Sequence, residues 1–277
     1  MDRSCDFLGE EVGSDAGEVL VIAVPVELTT SYIEGTSSAP EAIIEASRQI
    51  ELYNPLVNID LEGSGIHTVR SGARDRDALL RFISENREEL DRRFCVFLGG
   101  EHSITPWILR GMDYGEIGIV WLDAHADLRA EYLGDRESHA CAARNSLAYG
   151  PMVEIGVRSF SKEEHDFISS GGGPAVFRSW GEAAARAVDG LPERVYLSLD
   201  FDAFDPSELR ALGTPEPGGL RWGDLIDMLD HVFGGKMVVG MDAVELCPGE
   251  HDRASDFIAA KAVYEAVSRY LARKESR

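Results

Sequence analysis

Lysine is nearly missing from this 277-residue chain: it occurs at positions 162, 236, 261 and 274, and every other basic side chain is arginine. Against 27 Lys and Arg stand 49 Asp and Glu, a formal net charge of −22. Such a surface repels phosphate backbones and anionic membranes, so no nucleic-acid or membrane partner is expected; it favours metal ions and small cations. An acid-rich, lysine-poor composition also suits high cytoplasmic salt. Cysteine is scarce too. Cys5, Cys95, Cys141 and Cys247 show no CxxC pair and no disulfide-like spacing, so free, mostly buried thiols are expected. No stretch approaches the roughly 20 apolar residues of a membrane span. The polar start MDRSCDFLGEEVGSDAGE has no basic-then-apolar leader pattern, and a cytoplasmic protein is expected.

What is present is a regular alternation. VLVIAVP (19–25), CVFLGG (95–100), IGIVWLD (117–123), MVEIGV (152–157), RVYLSLD (194–200) and KMVVGMD (236–242) read as strands. They are apolar on both faces, as strands of a parallel sheet covered on both sides must be. Between them lie amphipathic helical segments: APEAIIEASRQIELY, RDRDALLRFISENREELDRR, SKEEHDFISS, RWGDLIDMLDHVF and one from about Asp252 onward. This βα order predicts an α/β fold with helices packed on both faces of a mostly parallel sheet. No repeat, linker or composition break divides residues 1–277, so one domain is expected, with the glycines at 171–173 in a loop.

Ligands of such folds bind beyond the carboxyl ends of the strands. Four predicted strands run into polar residues there: CVFLGG into Glu101, His102 and Ser103, IGIVWL into DAHAD, RVYLSL into DFDAFDP, and KMVVGM into DAVELCP. Any one of these could be a helix cap or a turn, and Asp205 before Pro206 is read that way. Four on one edge suggest a built site. Residues two apart on an extended chain lie roughly 6.5 to 7 Å apart, so Asp123 and Asp127 would be about 13 Å apart on a continuing strand. Metal–ligand bonds are only about 2.0 to 2.2 Å. Asp123, His125 and Asp127 therefore cannot share one ion unless the backbone turns, and such a set naturally serves two adjacent ions. Asp200 and Asp202 repeat the alternation, and His102 follows Gly99 and Gly100, which let the chain bend. Imidazole and carboxylate donors without thiolate suit Mn or a similar transition ion rather than structural Zn. Four carboxylates and a bridging hydroxide carry about −5 against +4 from two divalent ions, so the site favours a cation over a phosphate ester.

With these motifs in hand, the chain resembles the ureohydrolase superfamily of agmatinases and arginases, in particular the archaeal and bacterial agmatinase branch. ELTTSYIEGTSSAPEAIIEAS, GGEHS, WLDAHADL, ESHACAAR, IGVRS, SLDFDAFDP, GTPEPGGL and MDAVELCP carry the resemblance over most of the chain. It implies a three-layer α/β/α sandwich and two Mn ions. One would be held by His102, Asp123, Asp127 and Asp200, the other by Asp123, His125, Asp200 and Asp202, with Asp123 and Asp200 bridging. It further implies that a hydroxide between the ions attacks a guanidinium carbon, that Asp127 orients this hydroxide, and that His139 protonates the leaving amine. Glu245 would pair with the guanidinium. The family also implies a homo-oligomer, trimer or hexamer.

Three departures stand out: Ala140 after His139 where many relatives have Gly, Glu101 where Asp is commoner, and EGTSSAP in the N-terminal loop. The loop after DAHAD carries Glu131, Asp135 and Glu137 in place of an Asn- and Ser-rich stretch, and these carboxylates suit the terminal ammonium of a small cationic guanidine. Agmatine, cleaved to putrescine and urea, is the expected substrate, with Glu131 and Glu137 beside Glu245 and His139 in contact with it. Aminopropylagmatine is the alternative, and arginine fits less well. Readings of another class are a single-zinc deacetylase of related fold and a metal-binding protein without catalysis. His67, His165, His231 and His251 have no motif around them and are read as structural or exposed.

Overall fold

Among the described residues ten strands form: β1 (Val19–Val24), β2 (Tyr53–Asn54), β3 (Ile59–Asp60), β4 (Ile66–Arg70), β5 (Phe94–Gly99), β6 (Gly118–Leu122), β7 (Met152–Ile155), β8 (Ala175–Phe177), β9 (Arg194–Asp200) and β10 (Met237–Val244). Residues 6–13, 17–249 and 252–275 are described by this computed structural model. The helices are α1 (Ala39–Ser47), α2 (Arg76–Glu85), α3 (Arg87–Leu90), α4 (Ile104–Met112), α5 (Ala142–Ser146), α6 (Lys162–Ser169), α7 (Glu182–Asp189), α8 (Trp222–Gly235) and α9 (Arg253–Glu275). Eight strands pair in the order β4-β1-β5-β10-β9-β6-β7-β8, parallel throughout, and β2 and β3 form a small antiparallel pair.

The doubly apolar strands split their side chains between two cores. In β1, Val19, Val21 and Ala23 face a layer with α1, α7, α8 and α9, while Leu20, Ile22 and Val24 face α2 and α4 on the other side. The architecture is thus the three-layer sandwich with helices on both faces of the sheet. Each such Val, Leu or Ile contributes about 1.5 to 3 kcal/mol by leaving water.

Several elements depart from the sequence reading, each for a physical reason. Segment 74–93 is two helices, because the Asn86 side chain donates to the Phe82 carbonyl (2.8 Å) and ends α2. The helix expected over 39–53 stops at Ser47, whose hydroxyl donates to the Ile44 carbonyl while accepting from Leu8 N–H; Tyr53 then opens β2. The edge strands β4 and β8 carry no clear signal in the sequence because each is short and only partly buried, so neither shows a run apolar on both faces. Helix α4 carries none because almost every side chain in it is buried, leaving no polar stripe. Glycines 99 and 100 stay outside the left-handed φ range and are needed for room instead of bending. A Cβ on Gly100 would sit 2.0 Å from the Val26 carbonyl oxygen, and one on Gly99 would sit 2.4 Å from Ile104 Cδ1.

Cys95, Cys141 and Cys247 are free and buried; Cys5 and His251 lie outside the described residues. Among the described residues no helix is long and apolar enough to cross a membrane.

Candidate metal centre

Strands β5, β10, β9 and β6 are neighbours at the middle of the sheet, so the four polar strand ends meet at one place. Beyond β6 the chain leaves the extended form, and Asp127 adopts a left-handed backbone with φ of 48°. That turn removes the 13 Å obstacle. His102 Nδ1 lies 3.2 Å from Asp123 Oδ2, 3.0 Å from Asp200 Oδ2 and 3.8 Å from Asp127 Oδ2. His125 Nδ1 lies 3.7 Å from Asp123 Oδ1 and 2.7 Å from Asp202 Oδ2.

Two sets of side chains here bring their donor atoms within 4.8 Å of one another and could hold a metal ion: His102, Asp123 and Asp200, then Asp123, His125 and Asp202. Asp123 belongs to both. Asp127 borders the first set, and Asp200 enters the first but not the second.

The surroundings test whether these donors fit a cation. His102 Nε2 lies 2.8 Å from Ser198 Oγ, and Ser198 gives its only proton to Asp242 Oδ1 (2.7 Å). Ser198 must then accept from Nε2–H. Asp242 is itself fixed by Thr105 Oγ1 and Tyr196 OH, both at 2.9 Å. His102 Nδ1 is left buried without a hydrogen bond, facing carboxylates. A nitrogen oriented in this way is what a metal site requires. The ring stacks on Trp121 at 4.1 Å, and Trp121 Nε1 donates to Asp123 Oδ2 (3.0 Å), so imidazole and carboxylate share one support.

The electrostatics agree. Burial drives the Asp123, Asp127 and Asp200 carboxyls up, Asp127 and Asp200 well above their usual range, with neighbouring carboxylates adding to the shift. Burial lowers His102 and His125, yet their Asp neighbours outweigh it and lift both to about 9. Burial also opposes the charge on Asp202, but the His125 imidazole holds it below the carboxylate range. Several buried acids in contact retain protons unless cations replace them. The donors fit a pair of divalent ions.

Glu245 follows β10 with φ of 64°, a second left-handed non-glycine backbone at this place. Its Oε1 accepts from His102 N–H (2.7 Å), its own N–H donates to the Gly100 carbonyl (2.8 Å), and burial with Glu101 nearby raises it to about 8. His139 opens a single 3-10 turn, and burial pulls its imidazole below the usual value. Both line a cavity of about 270 Å³ with His125, Asp127, Asp200 and Asp202, walled also by Tyr32, Tyr132, Phe160, Arg129 and Glu164. A larger cavity, about 460 Å³, opens at the amino ends of β5, β9 and β10 and contains none of these residues.

Glu131 and Glu137 are not brought to this cavity. Leu133 and Gly134 turn the loop back with positive φ, Glu131 faces Arg136 in solvent, and Glu137 takes both oxygens to Arg76 at 2.6 Å. Asp205 is a turn residue, accepting from Ser207, Gly218 and Gly219. His67, His165 and His231 pair with local acids away from the cavity.

Sequence reasoning missed the supports: Thr29, Ser198, Trp121 and Arg158, whose guanidinium donates to the carbonyls of Gly156, Asp202, Ala203, Phe204 and Glu216. Ser198 had one available signal, its place two residues before Asp200 on the same face of β9.

The arginase family model matches residues 17–268, and the chain belongs to that family. Its relatives narrow the chemistry to ureohydrolases. It is 33% identical over 270 residues to the N(1)-aminopropylagmatine ureohydrolase of Synechocystis sp., covering 90% of this chain and 88% of that protein. It is 33% identical over 276 residues to the agmatinase of Pyrococcus horikoshii, covering 96% of each. The crystal structure of the agmatine ureohydrolase of Thermoplasma volcanium matches at a TM-score of 0.86 and 26% identity, over 100% of this chain and 97% of that one.

Proposed function

We propose that the chain hydrolyses the guanidinium group of agmatine, giving urea and putrescine, with two Mn2+ held by His102, Asp123, His125, Asp127, Asp200 and Asp202. The observation that carries this is two donor sets sharing Asp123, in a cavity also lined by Glu245 and His139. When bound, a divalent pair supplies activated water at neutral pH. The chain's own residues do the rest. Glu245 places a carboxylate where a planar guanidinium can be paired and oriented. Asp127 accepts a hydrogen bond from the attacking water and turns it toward the guanidinium carbon. His139 delivers a proton to the departing amine.

Charge supports a substrate with no carboxylate. Among the described residues lining the cavity, Arg129 is the one Arg or Lys, and Glu164 stands 3.9 Å from it, so these residues offer no free cation to an α-carboxylate. Glu131 and Glu137, paired with Arg136 and Arg76 outside the cavity, take no part in this selection. The aromatic wall of Tyr32, Tyr132 and Phe160 favours the second reading, aminopropylagmatine, because rings attract the extra ammonium of a longer polyamine; the Synechocystis relative bears that substrate in its name. A cytoplasmic homo-oligomer, trimer or hexamer, belongs to the same proposal. The test is urea release by Mn-loaded protein with agmatine, aminopropylagmatine, arginine and guanidinobutyrate side by side. Turnover of one or both polyamine guanidines alone is expected; equal turnover of arginine would overturn the substrate assignment.

A further inference from the structure

Around Thr29 the hydrogen bonds can be counted to closure. Glu101 Oε2 accepts from the backbone N–H groups of Leu28 and Thr29, both at 2.7 Å. Its Oε1 faces the hydroxyls of Thr29 (3.0 Å) and Ser103. Ser103 thus spends its hydroxyl on Glu101 and leaves the start of α4 without a side-chain cap. A carboxyl group surrounded by four donors is an acceptor at every position.

Thr29 Oγ1 has three partners: Glu101, the backbone N–H of His139 at 3.1 Å, and His139 Nδ1 at 2.9 Å. A hydroxyl offers one proton and two lone pairs. The proton goes to Glu101, because otherwise two oxygens would face each other at 3.0 Å with no hydrogen between them. One lone pair takes the His139 backbone N–H. The other is left for the ring, and it can be satisfied only by Nδ1–H; Thr29 Oγ1 is the nearer neighbour of Nδ1, at 2.9 Å against 3.4 Å for Ser138 Oγ.

We propose that Glu101, acting through Thr29, fixes His139 as the Nδ1–H tautomer, so that Nε2 is the ring atom that gains and loses the proton during guanidine cleavage. Which nitrogen of a histidine carries the hydrogen is set by the bond made at the other. Tyr132 holds the ring plane edge-on, 5.9 Å between centroids.

The cleavage step rests on the function proposed above, and it balances. The C–O bond forms, and Nε2, bare at rest, takes the proton shed by the attacking water. The C–N bond then breaks with its electron pair passing to nitrogen, that nitrogen takes the proton from Nε2, which is left bare again, and Nδ1–H donates to Thr29 throughout. Glu101 and Thr29 are positioning residues in this scheme; neither touches substrate.

The test reads the tautomer directly. Protein labelled with 15N-histidine and loaded with diamagnetic Zn2+ is observed by long-range proton–nitrogen correlation at a pH where the ring is neutral, the His139 signals being assigned by their loss in His139→Asn. A protonated Nδ1 and a bare Nε2 are expected. In Mn-loaded Thr29→Val, kcat for urea release should fall about 10²-fold with KM nearly unchanged, the lower end of general acid–base contributions, and Thr29→Ser should restore it. A neutral wild-type His139 carrying its hydrogen on Nε2 would overturn the proposal, as would an unchanged kcat in Thr29→Val. If wild-type protein releases no urea from any guanidine, the functional reading fails separately, and the wild-type spectrum still decides the tautomer.

Discussion

At the scale of single residues, His102, Asp123, His125, Asp200 and Asp202 come together at the strand ends, on supports of quite different chemistry. DAHAD, DFDAFDP and GGEHS announce themselves because acids and imidazoles stand where strands end. Ser198, Thr29 and Trp121 are ordinary side chains whose importance comes only from what they touch, such as Ser198 standing between His102 and Asp242. Glu131 and Glu137 show the converse: the right chemistry in the right loop, turned outward by Leu133 and Gly134. Glu245 allows a clean test at this scale. Glu245→Gln keeps an oxygen to accept from His102 N–H, as Oε1 does now, so metal binding should persist. It removes the charge that would pair a guanidinium, and kcat/KM should fall by about 10²-fold or more, as for truncated buried charge pairs. Retained metal with unchanged kcat/KM would show that Glu245 does not meet the substrate.

At the scale of elements, strands apolar on both faces stand out in the sequence because the sheet is covered on both sides, and β9 spans Arg194–Asp200 as RVYLSLD implies. Edge strands and the mostly buried α4 lack that signature. Close packing at the strand ends was equally hidden, since a sequence does not show which carbonyl passes a glycine. Gly100 offers the test. Gly100→Ala must push against the Val26 carbonyl and should cost about 1 to 3 kcal/mol by overpacking, a fall in Tm of several degrees for a chain of this size. Because Glu245 N–H donates to the Gly100 carbonyl, metal affinity should weaken too. Gly223→Ala, in α8 with nothing within 4 Å of the new Cβ, should be neutral or slightly stabilising. Thermal melts of the two variants compare them directly, and equal losses would contradict the packing argument.

At the scale of the whole molecule, the net charge of −22 and the buried acid cluster make stability depend on protons and metal together. Without metal, His102 and His125 titrate at about 9 when folded against an ordinary 6.5, so folding binds protons there. That stability is complete below about pH 6.5 and disappears as pH rises through about 9. The raised Asp127 and Asp200 act in the same direction, losing stability as pH climbs above the carboxylate range. Asp202, held low, matters only in acid. A metal ion needs the same atoms deprotonated. The gain in Tm on adding Mn2+ should therefore be larger near pH 8 than near pH 6, and a pH-independent gain would place the metal elsewhere.

The most direct measurement is a titration of Mn2+ into metal-free protein with agmatine or aminopropylagmatine present, following bound ions per chain and urea together. The account predicts that urea release rises with metal and levels off at two ions per chain. Saturation at one ion, or two ions bound with no urea from either guanidine, would contradict it.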